Sequence, residues 1–178
     1  MKKLILLSLG FLLVSFGTIN AQSKPSASDY NNSIVAIQAT VINDILALSN
    51  TFESRDAATM DKKYKKLKQT TVNAVNEITK MKGYEGNTEL RDVAKNLFVF
   101  YKETVANEYA EMIGILKKPD AEITEKDIAR IDEISSIISA RESVLDERFA
   151  KAQSDFAAKY NFKIEENTLQ KDIDNMSK

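Results

Sequence analysis

The sequence predicts an all-α protein, an antiparallel up-down-up-down four-helix bundle. Three observations carry this. Apolar residues recur at steps of three and four along most of the chain, and no stretch sustains period-two alternation. Glycine and proline are scarce beyond residue 21, limited to Gly83, Gly86, Gly114, Pro25 and Pro119, and four of these five fall in expected loops or the leader. Short connections between helices of roughly 40 to 55 Å force neighbours to run antiparallel.

Residues 1–21 read as an export signal. Met1-Lys2-Lys3 is a basic start, Leu4 to Phe16 is an apolar run, and a small-residue site ends at Ala21. The run is shorter than the roughly 20 residues a spanning helix needs. Cleavage after Ala21 is expected, leaving a domain over 22–178 with a leader at 22–28 and a polar tail at about 163–178. No cysteine follows the signal, so a lipid anchor on an N-terminal cysteine is chemically excluded. The mature chain is expected to be soluble and not transmembrane, in the periplasm, on the outer surface or secreted. Its formal charge shifts from -1 to -3, because two lysines and no acid leave with the signal.

The first helix is expected from about Ser28 to Glu53, on the stripe Tyr30, Ile34, Ile37, Val41, Ile45, Leu48 and Phe52. The second is expected from about Ala58 to Lys82, capped by Asp56, on Met60, Tyr64, Leu67, Thr71, Val75, Ile78 and Met81. Its surface carries the cluster Lys62, Lys63, Lys65, Lys66 and Lys68, a solvated face or else a patch for acidic lipid or polysaccharide. Gly83 to Asn87 is a turn by composition. Thr88 or Asn87 then caps the third helix, which runs to about Lys117 with Leu90, Ala94, Leu97, Tyr101, Val105, Glu108, Met112 and Leu116 inward. Pro119 forbids its continuation. The fourth opens on the capping pattern Thr124 to Asp127 and ends near Asn161, with Ile128, Ile131, Ile134, Ile138, Glu142, Leu145, Phe149, Ala152, Phe156 and Tyr160 inward.

Composition closes off much chemistry. The chain has no His and no Cys, and Trp is also absent. Histidine bases, cysteine nucleophiles, disulfides and Cys/His zinc or iron–sulfur sites are impossible. Ferritin-like metal pairs need histidine as well. No EF-hand loop, phosphate loop or Gly-x-Ser-x-Gly elbow is present, and no Ser-x-x-Lys stands in a convincing setting. The expectation is a non-enzyme without cofactors or metal. The near-neutral charge argues against nucleic acid as a partner.

Polar residues on the apolar stripes mark the candidate site. Glu142 falls between Ile138 and Leu145, and Glu108 between Val105 and Met112. Counting back across the loop near residue 120 sets Glu142 level with Tyr101. Carried round the bundle, the count brings Gln38 and either Gln69 or Asn73 to similar heights. A buried carboxylate must be paired, hydrogen-bonded or neutralised, and the Tyr101 hydroxyl is suited to that task. The layer either fixes helix register or lines a small-ligand pocket, with Tyr101, Glu142, Glu108 and Gln38 as the binding candidates. An acid/base pair for glycoside cleavage is disfavoured, since Glu108 and Glu142 fall more than a turn apart along the bundle.

Two stretches carry a resemblance. One is Glu89-Leu90-Arg91-Asp92-Val93-Ala94, Leu97 to Lys102 and Glu108 to Ile113. The other is Leu145-Asp146, Phe149, Ala152-Gln153, Phe156-Ala157 and Lys159 to Phe162. Together they resemble an uncharacterised group of exported bacterial all-helical surface proteins. The resemblance covers the last two helices well and the first two weakly. It implies an extracytoplasmic bundle without assigned activity and transfers no catalytic residue. The expected function is a non-catalytic binding or interaction module of the cell envelope or surface, its partner an unknown protein or envelope component. The alternatives are a small-molecule or lipid carrier with an inter-helix pocket and a chaperone-like helical protein.

Overall fold

A computed structural model describes residues 25–164. The expected signal at 1–21 and most of the tail, 165–178, lie outside the described residues. The fold is all-α. Its helices are α1 (Ala27–Ser49), α2 (Ala57–Lys80), α3 (Glu89–Ala106), α4 (Glu108–Leu116) and α5 (Glu125–Lys159), with a 3-10 turn at Asp120–Glu122.

Local chemistry sets most boundaries. Ser26 and Asp29 form a reciprocal capping box that starts α1 at Ala27, one residue before the expected Ser28. Asp56 caps α2 by accepting from the Thr59 amide at 2.7 Å. Thr124 and Asp127 box the start of α5 as their spacing predicts, despite the shorter aspartate. α1 ends at Ser49, four residues before the expected Glu53, where Thr51 Oγ1 donates to the Leu48 carbonyl at 2.6 Å.

The third predicted helix is interrupted at Asn107, with φ -109° and ψ -70°. Hydrogen bonding still passes through it, from the Asn107 amide to Glu103 and from the Glu111 amide to Asn107. Beyond this point Met112 stays buried, as expected, and Leu116 packs against the core. Tyr109 is buried where Glu108 was expected, and Glu108 is half-buried, with its Oε2 out of solvent and unpaired.

α1 packs on α2, α2 on α3, and α3 on α5, whereas α1 and α5 touch at few points. The core holds Ile34, Leu48, Met60, Leu67, Ile78, Leu90, Leu97, Phe98, Met112 and Ile134, all essentially solvent-free. At one end Tyr30, Tyr84, Phe156 and Tyr160 stack into an aromatic cluster. At the other, Arg55 donates to the carbonyls of Leu116 and Lys118 and pairs with Asp120, satisfying orphan groups where α4 ends. α1 is long and apolar enough to cross a membrane, with a mean hydropathy of 1.3 over its most apolar window. Its buried residues include Asn31, Gln38 and Asp44, polar groups turned inward toward other helices.

Candidate functional site

The structure brings three of the four expected site residues together. Gln38 of α1, Tyr101 of α3 and Glu142 of α5 are all buried, with Tyr101 beside both of the others. Asp146, one turn beyond Glu142, joins them, and Thr104 and Tyr109 complete the layer. Glu108 does not. It stands at the rim, where its Oε1 accepts from Arg141 Nη1 at 3.1 Å, and Arg141 lies over the Phe100 ring at 5.0 Å. Phe100 is itself buried and does not face outward. Gln69 and Asn73 bond each other at 2.9 Å on the exposed side of α2, away from the layer.

The expected Tyr101–Glu142 hydrogen bond does not close. The Tyr101 hydroxyl faces Gln38 and Glu142, yet neither it, the Gln38 amide nor either carboxyl of Glu142 and Asp146 finds a partner of ordinary hydrogen-bond geometry. The electrostatic outcome is neutralisation. Burial, then the nearby Asp146 charge, pushes the Glu142 carboxyl up to about 8. Burial pushes Asp146 up to about 7. Burial and the Glu142 and Asp146 carboxyls hold the Tyr101 phenol well above its usual range. Glu142 therefore keeps its proton at neutral pH and is a potential donor inside the core.

The space beside these groups is small. A cavity of about 10 Å³ touches Tyr101, Thr104, Tyr109, Ile138 and Glu142. One water needs roughly 10 to 15 Å³ measured this way. A much larger groove of about 590 Å³ lies open between α1 and α2, lined by Ala36, Ile37 and Thr40 opposite Glu77, Lys80 and Met81. Among the described residues no three carboxylates converge as a metal site would require.

Sequence reasoning missed Asp146 and a second polar contact, Gln153 Nε2 donating to Asn31 Oδ1 at 3.1 Å. A signal existed. Ser135, Glu142, Asp146 and Gln153 follow one another at seven, four and seven residues, a polar stripe of helical spacing, and all four are buried. Following only apolar residues hides it.

No known protein family, curated protein or solved structure matches this chain. Its chemistry rests on its own residues: an all-helical chain whose buried Glu142 and Asp146 carboxyls are pushed up by burial beside a cavity of about 10 Å³.

Proposed function

We propose that this chain is a non-catalytic exported protein of the bacterial cell envelope or surface that works by binding a partner through an outer face. The carrying observation is the closed interior. The Tyr101–Glu142 layer leaves about 10 Å³, far below the several hundred Å³ of a small-molecule site. Recognition therefore falls to the exterior. The arrangement that fits is an antiparallel up-down-up-down four-helix bundle, with α3 and α4 counted as one interrupted helix. Its support is the pairing of ends: Asn31 with Gln153, Tyr30 with Phe156, and Arg55 with the carbonyls ending α4.

The open α1–α2 groove favours a second reading, a carrier that holds its ligand at the surface. Native mass spectrometry of protein purified from an exporting bacterial host decides between them. The proposal expects a mass beginning at Gln22 without a bound small molecule. Extra mass that leaves under mild activation supports the carrier, and retention of residues 1–21 in the cytoplasm overturns export.

A further inference from the structure

Charge is unevenly distributed over the molecule. α2 carries six lysines against Asp61 and Glu77, a net of four positive charges, in a chain whose formal net charge is -1. Five of those lysines fall between positions 62 and 68, about 9 Å of helix axis. Asp61 is already engaged by Lys117 at 2.7 Å, and Lys66 by the buried Asp44 at 2.6 Å. Lys62, Lys63 and Lys65 have no ion-pair partner among the described residues. Helical spacing sets Lys62, Lys65 and Lys66 opposite the buried residues Met60, Leu67 and Thr71. Lys68 leans over Tyr64 at 5.5 Å, and Val72, 41% exposed, follows Lys65 and Lys68 along the same edge.

We infer that the outward face of α2, centred on Lys62 and Lys65 and edged by Lys68 and Val72, docks onto the anionic phosphate surface of a lipid membrane. The inference deepens the reading of a protein that binds through an outer face. Three features favour this occupant. The cations are all lysines, compact point charges that suit diffuse phosphate and lack the planar fork with which arginine grips one carboxylate. Lys62 and Lys65 stand exposed on the same outward side of α2 and so meet a plane together. Tyr64 and Val72 add a shallow apolar edge, and lysine stems cover apolar surface while their ammonium groups reach outward. A lysine held near an anionic bilayer contributes about a fivefold gain in binding, so the free lysines together suffice for reversible attachment.

The test is vesicle sedimentation of the full exported protein. The vesicles are phosphatidylglycerol mixed with phosphatidylcholine, and phosphatidylcholine alone, each at low and high salt. The expected result is sedimentation with the anionic vesicles only, weakening as salt rises. Lys62→Glu with Lys65→Glu is expected to weaken it at least tenfold. The same charge change on exposed α5 residues, Lys126→Glu with Arg148→Glu, is expected to weaken it no more than about threefold. Equal losses in the two double variants overturn the face assignment. Absence of sedimentation at low salt, or binding to a soluble acidic polysaccharide in place of vesicles, overturns the lipid assignment. Neither result alters the native mass, so this inference and the export reading fail separately.

Discussion

Glu142 and Asp146 stand one turn apart on the buried side of α5 with no cation against them, and their ionisation couples folding to pH. Their unfolded values are 4.5 and 3.8, and their folded values are pushed up to about 8 and about 7. Between those limits the folded chain binds more protons than the unfolded one. Stability is therefore fully present below about pH 4 and is lost as pH rises through 7 to 8. At roughly 1.4 kcal/mol per unit for each group the sum is an upper bound, so a loss on the order of a few kcal/mol is expected. Thermal melts should show the highest midpoint near pH 4 and a fall that levels off above about pH 8. Glu142→Gln should leave the pH 5 midpoint within about 2 °C and raise the one at pH 8, because the amide carries no charge to bury. A midpoint flat across this range would mean that water reaches the carboxyls. Tyr101→Phe should cost less than about 1 kcal/mol, the worth of a made hydrogen bond, since this hydroxyl closes none.

Two glycines test the elements in opposite directions. A Cβ on Gly83 would lie 2.6 Å from the Asn87 carbonyl oxygen and 2.8 Å from Thr88 Cγ2, inside the turn between α2 and α3. Gly83→Ala is expected to cost about 2 kcal/mol, since backbone must move to admit it. Gly114, within α4, has nothing within 4 Å of its added Cβ, so Gly114→Ala should gain about 0.5 to 1 kcal/mol of helix propensity. Urea unfolding of both variants measures the pair, and a loss at Gly114 would show that α4 has little helical order of its own. Element starts were legible where the signal is local: Asp56 and the Thr124–Asp127 box act within three residues. The Ser26–Asp29 box has the same form, and α1 starts at Ala27, within one residue of the expected Ser28. The break at Asn107 was not legible, because one asparagine among helix formers is no stop signal.

For the whole molecule, all-α character followed from apolar periodicity, and counting across the loop at residue 120 set Tyr101 beside Glu142, where the structure has it. The apolar stripe set Glu108 in the core, whereas Tyr109, four residues after Val105, takes the buried place and Glu108 is half-buried. It also overlooked Gln153, which lies just off the apolar stripe of α5 yet is 2% exposed. That residue supplies a direct test of which ends of the chain meet. The Asn31–Gln153 hydrogen bond spans 122 residues and joins the beginning of α1 to the last turns of α5. Each partner alone in this buried place would carry an unsatisfied amide, a cost of about 1 to 3 kcal/mol. Asn31→Ala and Gln153→Ala should each be destabilising, and the double variant should lose less than their sum by at least about 0.5 kcal/mol, since the second change removes the group the first left unpaired. Two distant, independent sites would add within about 0.3 to 0.5 kcal/mol. Simple additivity would separate the two ends and with them the antiparallel bundle. Measured coupling would set the start of α1 against the last turns of α5, as an antiparallel pairing of the first and last described helices requires.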